Sequence, residues 1–228
     1  MSIKMLEVQE FIGILEVQGS GLRIGGPKEG AAIGETDSPI IRHPITHRPY
    51  VPGSSVKGKI RCMLEQKHSP DSQRSGKPCA CGDCFICLLF GCGETRNLKS
   101  PTRLIFRDCQ PTIETVETWM KAGVDSDVKT EVLIDRNKGN AFGRIGPRTT
   151  ERIPAGSKFD FAMSIRLFEG DDRKEFYARL AEGFDLLEKT YLGGAGSRGY
   201  GKVVIKTLDG TNIVDMFHEK SKEDNKRG

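Results

Sequence analysis

The sequence predicts an α+β fold, because segments with the period of a strand alternate with segments that have the period of a helix. Apolar residues recur at every second position from Phe159 to Leu167, which is typical of a half-buried strand. Between Val56 and Gln66, and again from Phe176 to Leu187, apolar residues recur at spacings of three and four, as on one face of a helix. A chain of 228 residues with both patterns fits one globular domain.

The remaining elements complete the order strand, helix, strand, strand, helix, strand. Met5 to Gln18 is a first strand that ends in a glycine-rich bend, Arg103 to Asp108 is a short strand, and Lys202 to Leu208 is the last. Asp171 or Asp172 can cap the second helix. This order predicts a ferredoxin-like βαββαβ core, an antiparallel sheet with two helices on one face, which RNA-recognition-motif (RRM) domains share.

Three long intervals do not fit that core and are predicted to be insertions in a single domain of residues 1–218. They cover residues 19–52, 68–92 and 109–157. Connections of that length are unusual in a compact domain unless they have a function. Residues 219–228 are polar and charged, and we expect them to form a disordered tail.

The charge pattern indicates a polyanionic partner more clearly than the net charge of +4 does. Between Asp37 and Glu65, and from Arg136 to Thr150, there is no carboxylate, and both stretches are basic. The charged N-terminus does not suit a signal peptide, and no apolar run approaches the length of a membrane span. We therefore expect a cytoplasmic protein without a membrane partner.

The strongest chemical signal is a cluster of four cysteines in nine residues, Cys79, Cys81, Cys84 and Cys87. Seven cysteines without a secretory signal do not suggest disulfides, whereas closely spaced thiolates suit tetrahedral zinc. Cys81, Cys84 and Cys87 are the firm ligands, and either Cys79 or His68 is the fourth. Four protein ligands leave no open position, so the zinc would be structural.

Two enzyme classes do not fit. Zinc deaminases need His-x-Glu and Pro-Cys-x-x-Cys, but Gly82 stands at the place of the second cysteine and no histidine has Glu two residues on. A Walker loop needs Ser or Thr after its lysine, and here Ile60 follows Lys59. A base deaminase and an NTPase are therefore both disfavoured.

Two segments are suited to binding phosphates. Ser54, Ser55 and Lys57 lie at a predicted helix start, where backbone N–H groups favour an anion, and Arg61 shares a face with Lys57. A capped and solvated basic helix is an equally good interpretation of that segment. The second segment, from Leu192 to Lys202, holds five glycines that let backbone amides approach a phosphate chain, and its candidate contacts are Gly194, Gly196, Ser197, Arg198, Gly199 and Lys202.

These motifs occur together in an order that resembles one family. The segments are Gly21-Leu-Arg-Ile-Gly-Gly26, Ile33-Gly-Glu-Thr-Asp-Ser-Pro39, Pro52 to Arg61, Leu89-Phe-Gly91, Leu104-Ile-Phe-Arg-Asp108 and Leu192 to Lys202. The chain resembles the backbone subunits (subunit three) of type III-A CRISPR interference complexes, the Csm complexes, in the RAMP superfamily. The resemblance extends over nearly the whole chain.

The resemblance implies a protein that polymerises along CRISPR RNA, with further copies of itself and the other Csm subunits as partners, and that cuts target RNA. It makes Asp37 of the Ile-Gly-x-x-Asp-Ser-Pro motif the catalytic residue, with Mg²⁺ or Mn²⁺ as the metal for cleavage. It also implies a β-hairpin thumb from Lys129 to Arg152. The RNA contacts added on this basis are Arg23, Lys59, Arg136, Lys138, Phe142, Arg144 and Arg148.

Two other functions remain to be weighed. One is a purely architectural RNA-binding subunit, in which Asp37 would be a turn residue before Ser38-Pro39. The other is a maturation endonuclease of the same superfamily, but that activity usually needs a histidine acid–base pair. His43, His47 and His68 have no partner that the sequence makes evident.

Overall fold

The computed structural model describes residues 3–25, 38–69, 75–94, 97, 100–132, 134–139 and 148–223. Its strands are β1 (Met5–Val17), β2 (Leu104–Phe106), β3 (Asp127–Glu131), β4 (Arg148–Arg152), β5 (Lys158–Phe168) and β6 (Val203–Thr207). Its α-helices are α1 (Gly53–His68), α2 (Phe85–Phe90), α3 (Ile113–Ala122), α4 (Arg173–Lys189) and α5 (Ile213–Glu223). The fold is mixed α and β with an antiparallel sheet, as the sequence predicts.

The main sheet has four strands in the order β2-β5-β1-β6, and every neighbouring pair is antiparallel. β1 and β5 are central and pair along almost their whole length, from Met5 opposite Phe168 to Glu16 opposite Lys158. The alternation of apolar residues explains this register, because Leu15 and Phe159 face each other and are both fully buried. In the described part of the chain, β3 and β4 form a second, two-stranded sheet.

Helices α1, α4 and α5 cover one face of the main sheet. Gly183 of α4 lies so close to α1 that an added Cβ would be 2.5 Å from a methyl carbon of Ile60, so only glycine permits this approach. Phe217 of α5 stacks on Phe184 of α4 with ring centroids 5.7 Å apart, and its centroid is 4.9 Å from that of Phe11 in β1. These contacts join α5 to the core.

The predicted elements agree with the structure in type and nearly in bounds, but several elements were not predicted. Helices α2 and α3 lie inside the predicted insertions, which therefore have secondary structure of their own. The prediction of a disordered tail from residue 219 was wrong for its first part, because α5 continues to Glu223. Phe217 anchors that helix in the core, which the polar composition of the tail does not reveal. No helix in the described part of the chain is long and apolar enough to cross a bilayer.

Candidate nucleic-acid interface and metal centre

The sulfur atoms of Cys79, Cys81, Cys84 and Cys87 form one compact group, in which all four lie within 4.8 Å of one another. Measured pairs are 3.6 Å apart for Cys79 and Cys81, 3.7 Å for Cys79 and Cys84, and 3.9 Å for Cys81 and Cys87. Zinc–sulfur bonds of about 2.3 Å in a tetrahedron place sulfurs about 3.8 Å apart. The four cysteines are therefore arranged as a metal ion of this kind requires.

Local structure fixes this arrangement. Cys84 is the N-cap of α2, and its sulfur accepts a hydrogen bond from the backbone N–H of Cys87 at the next turn. His68, the other possible fourth ligand, lies outside the group of four. Its Nε2 is 2.9 Å from a carboxylate oxygen of Glu182, and its ring meets that of Phe85 edge-on. The geometry thus brings Cys79, not His68, to the sulfur cluster.

The protonation of the thiols determines when they can act as ligands. Burial raises the pKa of the Cys84 thiol to about 11 and also raises the pKa of Cys87. Thiolates, not thiols, bind zinc, so a metal ion has to displace these protons. Metal binding at this cluster would therefore release protons and would weaken in acid.

The glycine-rich segment after α4 lies directly against the chain that follows β1. Gly194 N–H donates to the carbonyl of Arg23, and Gly201 N–H donates to the carbonyl of Gly21, both at 2.8 Å. Gly193 has φ +75°, and an added Cβ would be 2.1 Å from the Arg23 carbonyl oxygen. Only a glycine can occupy this position without displacing the backbone.

This contact gathers several predicted RNA contacts on one surface. A Cβ at Gly194 would be 3.1 Å from the guanidinium Nη1 of Arg23, so that side chain lies along the segment. Lys59 of α1 places its Nζ 3.5 Å from the ring centroid of Tyr191, and a Cβ at Gly196 would touch the same ring. Tyr191, which the sequence analysis did not single out, therefore connects α1 to the glycines. We call Arg23, Lys59, Tyr191 and residues 193–202 the glycine surface.

The start of α1 is less open to an anion than the sequence suggests. Gly53 N–H already donates to a carboxylate oxygen of Asp108 at 2.8 Å. Lys57 directs its Nζ to the carbonyl of Leu104 in β2 at 2.9 Å, and its burial, with Arg61 and Arg166 nearby, lowers its pKa. Ser54 is exposed and Ser55 half-buried. Of the predicted contacts on α1, only Ser54 is exposed, since Lys57, Lys59 and Arg61 are half-buried as well.

Strand β3 brings an acidic residue to the glycine surface. Glu131 pairs with Arg198 through one carboxylate oxygen and accepts a hydrogen bond from the Tyr200 hydroxyl through the other, at 3.0 Å. Lys129 and Arg152 place their cationic groups 5.3 and 5.5 Å from the buried Tyr200 ring. The base of the two-stranded sheet is thus fixed to the glycine-rich segment.

The other predicted contacts of the hairpin are distributed along it. Arg148 is exposed at the start of β4, opposite Glu131, and Arg136 and Lys138 are exposed after β3. Phe142 and Arg144 lie outside the described residues. The structure therefore places three of these cations at the surface, in or next to the two-stranded sheet.

Asp37 also lies outside the described residues, and the description of the chain resumes at Ser38. Ser38 forms a parallel bridge with Thr150 of β4, and its carbonyl accepts a hydrogen bond from Glu151 N–H at 3.2 Å. Burial by itself would raise the pKa of Glu151, but hydrogen bonds from Arg42, Ile40 and Ser126 outweigh it and leave the pKa lowered. The residue after Asp37 is thus held beside the base of the hairpin.

Comparison with known proteins identifies the superfamily of the chain and then its family. Residues 15–204 match the family model of the RAMP superfamily, so the chain is a member of that superfamily. The chain is 42% identical over 201 residues to the CRISPR system Cms endoribonuclease Csm3 of Methanothermobacter thermautotrophicus, covering 83% of this chain and 80% of that one. It is 37% identical over 206 residues to the protein of the same name from Streptococcus thermophilus, covering 89% of each. The chain belongs to the Csm3 family, which confirms the resemblance.

Solved structures agree with this assignment. The chain is similar to a chain in the crystal structure of the Csm3-Csm4 subcomplex of a type III-A CRISPR-Cas interference complex, with a TM-score of 0.59 and 28% identity. The match covers 97% of this chain and 98% of that one. The Csm3 crystal structure from Methanopyrus kandleri, at 22% identity and a TM-score of 0.53, shows the same fold.

Proposed function

We propose that this chain is the repeated backbone subunit of a CRISPR ribonucleoprotein, which binds CRISPR RNA and cleaves complementary target RNA at regular intervals. The observation that carries the proposal is the 42% identity, over most of both chains, to proteins named as Csm3 endoribonucleases. The glycine surface supports it, because it places the cationic groups of Arg23 and Lys59 along a glycine-rich segment. The partners are CRISPR RNA, target RNA, further copies of this chain and the other subunits of the complex.

The proposed binding mode reads the sugar–phosphate chain and not the base edges. Backbone N–H groups of glycines, serine hydroxyls and cationic side chains contact phosphates without regard to sequence. On the hairpin, Arg136, Lys138 and Arg148 add positive charge to an element that can reach between bases. Because phosphate neutralisation releases counterions, affinity should fall steeply with salt.

The proposed cleavage step depends on Asp37. The ribose 2′-oxygen loses its proton to water and bonds to the adjacent phosphorus, the P–O5′ bond breaks, and the departing 5′-oxygen takes a proton from water, which leaves a 2′,3′-cyclic phosphate and a 5′-hydroxyl. A single carboxylate can orient the ribose, or it can hold Mg²⁺ or Mn²⁺ together with water and substrate phosphate. A bound divalent ion would neutralise charge that develops on the phosphate oxygens.

The architecture that serves this function is, on our interpretation, a ferredoxin-like core with functional insertions. Strand order β2-β5-β1-β6 with α1 and α4 as the connecting helices supports that description. Zinc held by Cys79, Cys81, Cys84 and Cys87 would cross-link the insertion after α1 and has no part in cleavage. The β3-β4 pair would form the base of the thumb.

Replacement of Asp37 by Ala in the assembled complex tests the catalytic assignment. We expect target cleavage to fall by at least about 100-fold, a loss typical of an essential catalytic group, while CRISPR RNA and target RNA stay bound. Asp185→Ala, which removes a carboxylate from the surface of α4, is the control and should cleave normally. Cleavage by the Asp37 variant at the wild-type rate and intervals would leave only an architectural role for the chain.

A further inference from the structure

The backbone of Cys79 is held on both sides by side chains of α1. Its N–H donates to Glu65 Oε1 at 2.9 Å, and its carbonyl accepts a hydrogen bond from Arg61 Nη2 at 3.1 Å. Arg61 Nε also donates to the same oxygen of Glu65 at 2.9 Å. The peptide groups of one cysteine are thus closed into a ring of hydrogen bonds with an ion pair.

The burial of this pair sets it apart from the ordinary ion pairs of the helices. The side chains of Arg61 and Glu65 are only 17% and 11% exposed, whereas those of Lys189 and Asp185, at the same i,i+4 spacing on α4, are 71% and 38% exposed. A buried carboxylate is costly unless its charge and its acceptor sites are satisfied. Arg61 and the Cys79 N–H satisfy Glu65, and that requires Cys79 to lie where it does.

Cys79 needs such support more than Cys84 and Cys87 do. Cys84 and Cys87 belong to α2, whose first turn fixes both sulfur atoms. Cys79 lies in no helix or strand, and besides the two α1 side chains its carbonyl is held by Gly93 N–H at 2.9 Å. The Cys87 thiol also donates a hydrogen bond to this carbonyl at 3.5 Å. A deprotonated Cys87 sulfur has no proton to donate, so this hydrogen bond is lost when Cys87 becomes a thiolate.

We propose that Glu65 and Arg61 are positioning residues of the metal centre, which hold Cys79 at its ligand position. The inference rests on the proposed metal site. A zinc ion with four thiolates carries a net charge of −2, and the Arg61 guanidinium at the Cys79 carbonyl places a positive charge beside it. Residues behind metal ligands commonly change metal affinity by about 10- to 100-fold when replaced, because they orient the ligands and tune their charge.

The same contacts occupy the guanidinium of Arg61. Its Nε donates to Glu65 and its Nη2 to the Cys79 carbonyl, and its side chain is only 17% exposed. The predicted RNA contact at Arg61 is consequently better described as a support of the metal centre than as a free phosphate ligand.

Zinc release from the purified full-length chain tests this inference without using activity. Glu65→Gln and Arg61→Lys should release zinc to a chromogenic chelator about 10- to 100-fold faster than wild type. Asp185→Asn, which removes an exposed i,i+4 partner on α4, should release it at the wild-type rate. Arg61→Lys keeps the charge but loses the planar fork that donates through Nε to Glu65 and through Nη2 to Cys79, so it provides the test if Glu65→Gln does not fold.

A purely structural role is distinguished by thermal unfolding with and without zinc. A positioning role predicts that each substitution lowers the midpoint temperature of unfolding more in the zinc-loaded protein than in protein from which a chelator has removed the zinc. Equal losses in both, or zinc release at the wild-type rate, would overturn the inference while leaving the metal site intact. A wild-type chain that neither contains nor takes up zinc would overturn the metal site itself, and this inference with it.

Discussion

The carboxylate of Glu151 accepts a hydrogen bond from the backbone N–H of Ile40 at 2.8 Å and thereby ties β4 to the chain that leaves the segment containing Asp37. The other oxygen of Glu151 accepts hydrogen bonds from Arg42 at 2.6 Å and from Ser126 at 2.7 Å. Arg42 in turn reaches Asp125, which precedes β3. One buried carboxylate therefore joins the proposed catalytic loop to both strands of the hairpin.

Glu151→Gln should lower the free energy of unfolding by about 2 kcal/mol at neutral pH, because it leaves buried hydrogen-bond donors poorly matched. Glu114→Gln is the matched control. Its carboxylate pairs with Lys158 at the surface, where an ion pair contributes at most about 1 kcal/mol. Urea denaturation of both variants measures the difference, and equal losses would contradict the role assigned to Glu151.

The same variant has a predicted dependence on pH. The folded-state pKa of Glu151 is lowered, so its contribution is fully present above the ordinary value near 4.5 and is lost as pH falls through the folded pKa. The difference in unfolding free energy between wild type and Glu151→Gln should therefore be constant near neutrality and narrow below pH 4.5. A difference that widens in acid would show that the sign of the shift is wrong.

Glu131→Gln should strengthen RNA binding about 3- to 5-fold at low salt, which corresponds to roughly 1 kcal/mol for an exposed ion pair. The reason is that Glu131 pairs with Arg198 and occupies the guanidinium that a phosphate would use. Fluorescence anisotropy of a labelled single-stranded RNA measures the affinity. Glu117→Gln, at an exposed position of α3, removes the same charge elsewhere and controls for net charge. Unchanged binding by Glu131→Gln would mean that Arg198 does not contact RNA.

Gly193→Ala should cost about 3 kcal/mol of unfolding free energy, because it combines a left-handed backbone with overpacking. Its Cβ would meet the Arg23 carbonyl oxygen at 2.1 Å. Gly210 has φ +89° but nothing within 4 Å of an added Cβ, so Gly210→Ala should cost only about 1 kcal/mol. Chemical denaturation compares the two. If both variants lose the same amount, the close contact between Gly193 and Arg23 is not important for the fold.

The core and the cysteine cluster were predictable because their signals are local. The alternation in β5 and the helical spacing in α1 and α4 follow directly from which face is buried. The partners of those residues are not local, and the sequence cannot supply them. Glu65 looks like one acid on a polar helix face until Cys79 is placed against it, and Glu131 and Tyr191 acquire a role only through contacts with the glycine-rich segment.

The dependence of RNA affinity on salt tests the central claim, that this chain holds RNA by its phosphates, most directly. With two unrelated single-stranded RNAs of equal length, we expect similar affinities. The logarithm of the association constant should fall with the logarithm of the salt concentration with a slope of about −3. That slope corresponds to about four phosphates neutralised at about 0.7 each. Absence of binding to either RNA, or tight and salt-independent binding to only one of them, would contradict the account.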